Sequence, residues 1–440
     1  APAERQVTLT LEQSLRAALG RAPEVRQAEA EIESVLGKRL QARGAGYPQL
    51  ELTTVLGPSP RARGDQIAST DEQYSPDITG IFIRGGIELV QPIFTWGLIR
   101  NAREAAEHGL RATRAGVDVK STEVALKVKE AYWGLVAARQ IRPFLLDVKD
   151  QVAGAVDRTK RLIESGHATD VDVYRLVVGQ AEIEKGLNQV DKNIALARGA
   201  LAAWTGQPTG TVVEAADAAL PSELRDLRAV EAFVEDARAR RPEWTQLSEG
   251  IQARRHLVEV ERKKRYPLFF VGIFGSAAYA TNRDHLDNPF VIDPLNHVAV
   301  GPVIGFKYNL DFGIAAGKIK EAEAELHKLE ALQQYAGDGI PLQVLQAYRA
   351  VVEARRNVEY LDEAHRTARQ WLVVASSNVD LGIGESRDLA DAFLGYAKTR
   401  ADYLLSLYAY VYGLEQLAHA AGLDVEEVHR LSPPEREAAR

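Results

Sequence analysis

Residues that could bind a nucleotide or catalyse a reaction form no complete motif in this sequence. Residues 382–387 begin like a dinucleotide-binding loop, but Arg387 stands where the third glycine is required. Residues 313–318 have the wrong spacing for a phosphate-binding loop and lack a Ser or Thr after Lys318. The sequence therefore predicts neither an enzyme nor a nucleotide cofactor.

The nine histidines give no metal-binding pair at helical spacing with a plausible third ligand. Asp284, His285, Asp287 and Asp293 share one polar loop and could collect a divalent ion there. Solvated surface charge is the stronger interpretation of this loop. The sequence therefore predicts no metal site.

Carboxylates mark the start of a long helical segment at residues 381–422. A Gly-x-Gly turn opens it, Ser386 is placed to cap a helix, and Asp388 and Asp391 fall in the first predicted turn, where negative charge is favourable. About ten turns follow without proline until Gly422. The pattern predicts the returning arm of a long helical hairpin.

The same arm occurs a second time, 216 residues earlier in the chain. The matching landmarks are Gly382 with Gly166, Asp388 with Asp172, Leu417 with Leu201, Gly422 with Gly206, and Tyr348 with Tyr132. Closer to the start of each copy, Pro23 matches Pro242 and the pair Tyr47-Pro48 matches Tyr266-Pro267 at a spacing of 219. Such repeated spacing indicates internal duplication.

Both copies predict the same order of elements. A short helix and a longer one end at the Tyr-Pro pair, and strand segments follow. Residues 50–56, 81–89 and 298–310 show β-strand alternation, whereas the predicted strand at 268–279 alternates poorly. Polar loops at 57–77 and 281–296 join these strands. Long helical segments come next, from 97 to about 165 and from 317 to about 381, and Pro143 and residues 337–341 predict kinks or interruptions in them.

These elements define a domain organisation and leave a sheet that one chain cannot close. We assign residues 1–206 to a first repeat, 207–229 to a linker, 230–422 to a second repeat and 423–440 to a flexible tail. Residues 298–310 alternate apolar side chains with small or polar ones, although Pro302 forfeits a ladder hydrogen bond. Four strands in two hairpins leave open edges, which closure in an oligomer would remove.

Composition excludes several classes of protein. The net charge is −7 with scattered basic residues, which argues against nucleic-acid binding, and the absence of cysteine excludes disulfides and thiolate metal sites. No window holds eighteen consecutive apolar residues, whereas transmembrane β-strands remain compatible with the pattern. The chain lacks methionine and starts Ala1-Pro2-Ala3, as expected after removal of a signal peptide.

The ordered motifs resemble those of the TolC-like outer-membrane efflux protein family, the outer membrane factors. YPQL at 47–50, LVQPIF at 89–94 and Gly97 look like the family's strand signatures, and VKEAYWGL at 128–135 looks like its helix signature. GHAT at 166–169 followed by Asp172, and residues 382–392, are similar to its two hairpin turns. The resemblance covers about residues 8–422, with NLDF at 309–312 replacing the usual proline-containing form.

The resemblance implies a mixed α and β fold and a transport function. Long antiparallel helical hairpins would form an α-barrel, and a homotrimer with four strands per chain would share one transmembrane β-barrel of about twelve strands. The location would be the outer membrane of a Gram-negative bacterium, in contact with its lipid and extending into the periplasm. A periplasmic adaptor and an inner-membrane transporter would drive small molecules or ions through this passive duct.

The resemblance also assigns roles to named residues. Asp172, Asp388 and Asp391 match positions that ring the pore constriction, and ordinary helix N-terminal charge is the alternative. The adaptor would contact small residues at the turns, for which positive φ at the glycines is the alternative: Gly166, Ala168, Thr169, Gly382, Gly384 and Ser386. An aromatic girdle at the membrane interface would comprise Tyr47, Trp96, Tyr266 and Tyr308, with core packing of Trp96 as the alternative.

Two other functions remain open at this point. The same duct could export proteins, as in type I secretion, and only its partner transporter would distinguish that role. A soluble periplasmic coiled-coil scaffold without a pore is the alternative from another class. That protein would stay in solution without detergent, and its strand segments would be exposed.

Overall fold

The computed structural model describes residues 5–62, 74–165, 168–208, 210–284, 290, 293–381 and 383–429. The elements in chain order are β1 (Gln6–Leu9), α1 (Leu11–Leu19), α2 (Pro23–Gly44), β2 (Gln49–Ala62), β3 (Tyr74–Phe94), α3 (Leu98–Glu164), α4 (Asp170–Thr205), β4 (Val212–Ala215), α5 (Val230–Arg240), α6 (Pro242–Lys263), β5 (Leu268–Ala280), β6 (His297–Lys307), α7 (Ile314–Asp380) and α8 (Ser386–Ala421). A short 3-10 helix follows at Val425–His429. The expected mixed fold is confirmed.

The helices repeat with the same lengths in the two halves of the chain. α3 and α7 each contain 67 residues, and α4 and α8 each contain 36. Both returning helices end at a glycine in the left-handed region, with φ 67° at Gly206 and φ 68° at Gly422. Glycine adopts this conformation without the steric cost that a Cβ atom imposes. The internal duplication is therefore confirmed in the backbone.

Neither long helix is interrupted at its proline, so that part of the sequence prediction is wrong. α3 continues through Pro143 and α7 continues through Pro341. A proline inside a helix costs about 3 kcal/mol because it removes a hydrogen bond and clashes with the preceding turn. Buried apolar neighbours on both sides offset this cost, namely Ile141 and Leu145 in α3 and Ile340 and Val344 in α7.

The four strands of the two hairpins form one antiparallel sheet in the order β2-β3-β5-β6. Each hairpin pairs within itself, and β3 pairs with β5 to join them. β2 and β3 extend into the predicted loop at 57–77, whereas β6 ends at Lys307 and leaves Tyr308 outside the strand. Pro302 of β6 lies opposite Ile273 of β5. Its missing backbone N–H is tolerated because β6 is an edge strand, and one side of an edge strand forms no ladder hydrogen bonds.

The chain divides into two compact units, which we name by their content. The helical unit comprises Ala1–Glu31, Thr113–Leu247 and Leu332–Arg440, and the sheet unit comprises Ile32–Ala112 and Ser248–Ala331. Each unit takes segments from both repeats. None of the helices in the described ranges has an apolar stretch of the length that a membrane span requires.

Buried apolar side chains at helical spacing form the core of the helical unit. In α3, Val128, Tyr132 and Leu135 follow each other at intervals of four and three residues and are all fully buried. In α8, Leu404 and Leu407 repeat the interval of three and are also buried. Residues at these intervals lie on one face of a helix, so each helix presents a continuous stripe to its neighbours.

The predicted linker at 207–229 is an ordered part of the helical unit. Its β4 strand pairs in parallel with β1, a two-stranded sheet that the sequence analysis missed. The Tyr132 hydroxyl donates to Asp217 Oδ2 at 2.5 Å, and Arg139 Nη1 donates to the Ala215 carbonyl oxygen at 2.7 Å. Arg355, the counterpart of Arg139 at a spacing of 216, donates to Asp226 at 2.7 Å. Both long helices therefore bind the linker.

Candidate functional site

At the first hairpin turn, between α3 and α4, a carboxylate of α4 caps the start of that helix. The backbone N–H and the hydroxyl of Thr169 both donate to Asp172 Oδ2, at 2.9 and 2.8 Å. Asp172 thus satisfies a donor that the helix itself leaves unpaired, which is the role of a capping box. Half-buried Ala168 precedes this cap, and Gly166 lies outside the described residues.

The second turn closes by a different mechanism. The N–H groups of Ile383 and Gly384 both donate to the Asn378 carbonyl oxygen, at 3.0 Å each. Glu385 then takes the N-cap position without a side-chain cap, and Ser386 is the first residue of α8. The prediction that Ser386 caps the helix is therefore wrong, because the backbone closes the turn one residue earlier. Gly382 lies outside the described residues, as does the Ser386 side chain.

Gly384 is required by a close approach of the backbone. A Cβ atom on this residue would lie 2.7 Å from Asn378 Cβ and 2.8 Å from the Asn378 carbonyl carbon. Among the glycines that the structure describes, positive φ is found at Gly97, Gly206, Gly210 and Gly422 and not at Gly384. Lack of a side chain, and not a left-handed conformation, is what this turn demands of Gly384.

The three predicted carboxylates have different surroundings. Asp172 is committed to its own cap, whereas Asp388 lies exposed in the first turn of α8 and has no salt-bridge partner among the described residues. Asp391 lies in the second turn of α8. The sequence prediction, which placed it in the first turn, is therefore wrong. The Asp391 carboxylate is 3.7 Å from Arg175 Nη1 and 3.9 Å from Arg387 Nε. Partly exposed pairs of this kind contribute about 0–1 kcal/mol each.

Contacts between the two repeats lie close to both turns. The pair Arg175–Asp391 joins α4 to α8, and these residues occupy equivalent positions in the duplication. A second pair, Arg158 with Asp380 at 3.7 Å, joins α3 to α7 near their C-terminal ends. The sequence analysis missed both arginines, because no local pattern indicates which carboxylate a distant arginine will meet.

Exposed apolar side chains surround the turns and were also missed. At the start of α4, Val171, Tyr174 and Val178 are exposed at intervals of three and four residues. At the second turn, Leu381 and Ile383 are 73% and 77% exposed. Apolar groups clustered on a surface with polar neighbours mark a site of interaction with another molecule. The apolar spacing in α4 continues up to its N-terminal turn. This pattern could have indicated the exposed apolar surface from the sequence.

Two of the predicted interface aromatics meet in the sheet unit. The rings of Trp96 and Tyr266 stack with centroids 5.3 Å apart, and Trp96 Nε1 donates to the Pro267 carbonyl oxygen at 2.9 Å. Trp96 is 42% exposed, so core packing does not account for its position. Tyr47 and Tyr308 are exposed and stack on no ring in the described part of the chain.

The sequence model of the outer membrane efflux protein family matches residues 14–207 and 233–423. The chain belongs to this family. The resemblance read from its motifs is thereby confirmed, and the family consists of outer-membrane efflux channels and not of enzymes. No curated protein sequence matches the chain.

Solved structures of outer-membrane proteins share the fold. VceC from Vibrio cholerae matches with a TM-score of 0.73 and 20% identity, covering 94% of this chain and 96% of that one. The CmeC channel of Campylobacter jejuni gives 0.75 and 13%, covering 95% and 88%. The open MtrE channel of Neisseria gonorrhoeae gives 0.71 and 14%, covering 98% and 95%. At these identities the likeness to the family's solved members establishes the fold alone.

Potential metal ligands occur in the sheet unit. In the acidic loop after β5, Asp293 is buried and pairs with Arg283 at 3.2 Å, while His285 and Asp287 lie outside the described residues. A different group, Glu104, His108 and His256, brings one ligand atom from each residue to within 4.8 Å of the others. The spacing of four between Glu104 and His108 was readable, but the third ligand lies 148 residues further on.

Proposed function

We propose that this chain is the outer-membrane exit duct of a tripartite efflux system for small molecules or ions. Three copies would share one transmembrane barrel through their sheets, and their helical hairpins would enclose a duct in the periplasm. A periplasmic adaptor would join the duct to an inner-membrane transporter that supplies the energy. The observation that carries this proposal is a four-stranded sheet with two unpaired edges in a member of an efflux channel family.

The sheet edges favour closure with other copies. β2 and β6 each pair on one side only, so each leaves a row of backbone donors and acceptors without partners in the sheet. On β6, Val298, Val300 and Ile304 are all highly exposed. Three chains with four strands each give a barrel of about twelve strands, in which every edge is paired. The apolar side chains would then face lipid.

The helical unit also has an apolar surface that a second copy would cover. A groove of about 910 Å³ runs between α3, α4 and α8 and is walled by small and aliphatic side chains such as Ala138, Val178 and Ile183. Leu196 on α4 is 64% exposed. Removing apolar surface from water contributes about 25 cal/mol per Å², from which the entropic cost of association is subtracted. These features support the homotrimer.

We assign the constriction to the carboxylates of the second turn. Asp388 has no salt-bridge partner in the described part of the chain, and in a threefold assembly it would form a ring that attracts cations and repels anions. Asp391 would contribute less because two arginines neutralise it, and Asp172 less because it caps its helix. The exposed apolar groups at the turns, with the small residues Ala168 and Gly384, would receive the adaptor.

Ion currents through planar bilayers test the constriction. We expect divalent cations to reduce the wild-type conductance, and we expect the double variant Asp388→Asn with Asp391→Asn to lose most of this block. Asp191→Asn serves as the matched control, since Asp191 is an exposed α4 carboxylate paired with Arg142 far from the turns in sequence. A double variant blocked as strongly as wild type would exclude these residues from the constriction.

The oligomeric state tests the shared barrel. Light scattering of the detergent-solubilised protein should give the mass of three chains after correction for detergent. A water-soluble monomer that needs no detergent would instead support the scaffold alternative. This measurement is independent of cargo and of the constriction residues.

A further inference from the structure

Three ligand-type side chains converge in the sheet unit, at a place that the proposed transport function does not use. Glu104 and His108 are four residues apart and so lie on one face of α3, and His256 approaches from α6. One oxygen or nitrogen atom of each lies within 4.8 Å of those of the other two. The two imidazole rings stack with centroids 5.5 Å apart and an interplanar angle of 20°.

A neighbour selects the tautomer of the neutral His256 ring. His256 Nδ1 lies 2.9 Å from Asn101 Oδ1, and Asn101 Nδ2 donates to the Gly97 carbonyl oxygen at 2.8 Å. The second bond identifies which amide atom faces the imidazole, and an amide oxygen can only accept. His256 Nδ1 therefore carries the proton, and the lone pair needed to bind a metal is on Nε2.

His108 has an equivalent arrangement with a carboxylate. His108 Nδ1 lies 2.7 Å from Glu249 Oε2, which accepts and thus favours a proton on Nδ1. Arg111 Nη2 lies 2.7 Å from the same nitrogen, but Arg111 also donates through Nε to Glu249 at 2.8 Å. Glu249 favours a proton on His108 Nδ1, whereas Arg111 favours a lone pair on the same atom. A metal on His108 Nε2 therefore requires the tautomer in which Nδ1 donates to Glu249 and the Arg111 Nη2 contact is given up.

This pattern is the one that orients histidine ligands in metal sites. Histidines that bind metals almost always donate their other ring N–H to a carboxylate or carbonyl oxygen, which fixes the ring and raises its basicity. Asn101 and Glu249 supply these acceptors here, one for each imidazole. Neither acceptor belongs to the ligand group itself. The acceptor behind His256 therefore supports a ligand on Nε2 independently of the convergence of the three residues.

We propose that Glu104, His108 and His256 bind a divalent transition-metal ion of the Zn²⁺ class through one carboxylate oxygen and two Nε2 atoms. Two imidazoles and a carboxylate form a common ligand set for Zn²⁺, with water completing the coordination. Metal–ligand bonds of about 2.0–2.2 Å require ligand atoms roughly 3.3 Å apart, so the group must contract on binding. Glu104 is exposed and free to change rotamer. The ion would join α3 to α6.

Calorimetric titration of the tag-free, detergent-solubilised protein with Zn²⁺ tests the site. We expect one ion per chain and a loss of affinity of at least about 10-fold in Glu104→Gln and in His256→Gln. Asn101→Leu removes the acceptor behind His256, together with the Asn101 bond to the Gly97 carbonyl oxygen, and leaves all three ligands in place. We expect about a 10–100-fold loss. His327→Gln is the matched control, since His327 is an exposed histidine of the sheet unit outside this group, and its affinity should equal wild type.

Electron paramagnetic resonance of the Cu²⁺ form identifies the ligands. The wild-type spectrum should show hyperfine coupling to two imidazole nitrogens, and His256→Gln should show one. Three outcomes would overturn the proposal. They are binding of less than one Zn²⁺ per chain, an unchanged nitrogen count in His256→Gln, and an equal loss of affinity in His256→Gln and His327→Gln. Glu104→Gln alters an exposed side chain, so its fold should persist, and circular dichroism checks this. Transport or its absence does not enter the result.

Discussion

The two helical hairpins have the same backbone and different polar contacts. α3–α4 and α7–α8 agree in length to the residue and end at equivalent glycines. Inside them, Lys129 of α3 forms a buried ion pair with Glu415 of α8 at 2.7 Å, whereas the equivalent residues of the other copy are Leu345 and Gly199. Terminating residues fix helix length locally, but a buried charge depends on its partner. The two copies have therefore kept the same helix lengths but not the same buried ion pair.

The paired tyrosines show the same divergence. Tyr132 is fully buried, and burial together with its hydrogen bond to Asp217 raises its pKa to about 12. Its counterpart Tyr348 is only partly buried and packs against Phe233 with ring centroids 6.0 Å apart. One tyrosine thus anchors the linker by a hydrogen bond, while the other packs against helix α5. Equivalent positions serve different attachments.

Removing the asymmetric ion pair should have the largest effect. The Lys129 and Glu415 side chains are 19% and 2% exposed, so Lys129→Met leaves a buried carboxylate unpaired. We expect a loss of about 3 kcal/mol in the free energy of unfolding, measured by denaturant titration in detergent. Lys149→Met is the control, because the partly exposed Lys149–Glu184 pair should change stability by less than about 1 kcal/mol. Equal losses in the two variants would contradict a special role for the buried pair.

Close helix packing should give the next largest effect, at positions that both copies share. Gly179 of α4 and Gly395 of α8 are equivalent, and a Cβ atom would press on Leu394 at the first and lie 3.1 Å from Trp371 Cζ3 at the second. We expect Gly179→Val and Gly395→Val each to cost about 1–3 kcal/mol in the same titration, since neighbours must shift.

Gly199 on α4 distinguishes packing from helix propensity. No atom lies within 4 Å of a Cβ built on this glycine. Gly199→Ala should therefore stabilise the protein by up to about 1 kcal/mol, because alanine is the better helix former. Stabilisation by Gly179→Val as well would show that α4 and α8 do not pack as closely as described.

The sequence predicts features that depend on neighbouring residues better than features that depend on residues far apart in the chain. Helix ends at Gly206 and Gly422, strand alternation and the duplication were readable because the responsible residues are neighbours in the chain. The pairing of β1 with β4 was not, since it joins residues about 200 positions apart and β4 has only four residues. Continuation through Pro143 was also unreadable, because tertiary packing outweighs a local penalty.

At the candidate site, residue types were easier to predict than their partners. The sequence indicated which carboxylates lie near the turns, but it placed Asp391 one turn too early and assigned the cap to Ser386. Arg175 and Arg158 were invisible as partners because ion pairs between helices leave no periodic pattern. For the same reason, Glu104 and His108 gave no metal prediction until His256 of α6 was placed beside them.

The two turns should respond differently to the loss of their equivalent aspartates. Asp172→Ala removes a side-chain cap and should lower the opening free energy of the first turn of α4 by about 1 kcal/mol, as measured by amide hydrogen exchange. Asp388→Ala removes only a favourable charge and should cost about 0.3–1 kcal/mol in α8. Thr169→Ala reports on the same cap from its donor side. A larger effect at Asp388 would mean that its carboxylate has a structural partner in the assembly.

Acidification should produce the smallest difference, confined to the second hairpin. His365 of α7 stands where α3 has Lys149; its Nδ1 donates to the Leu361 carbonyl oxygen at 3.0 Å, and Arg400 Nη1 donates to its Nε2 at 3.1 Å. Burial lowers the pKa of His365 below 6.5, and the weaker opposing effects come from its bond to the Leu361 carbonyl oxygen and from Asp362 at 3.9 Å.

Because the neutral imidazole suits both bonds, the unfolded chain binds the proton first as the pH falls. The stability that His365 contributes is therefore fully present above pH 6.5 and is lost as the pH drops through the lowered pKa of the folded protein. Hydrogen exchange at pH 7.5 and 5 should show α7 loosening relative to α3, with His365→Gln reducing that difference. His419, whose pKa burial also lowers, remains in the variant and accounts for residual pH dependence in α8. If α3 loosened equally in wild type and variant, the acid response would originate outside His365.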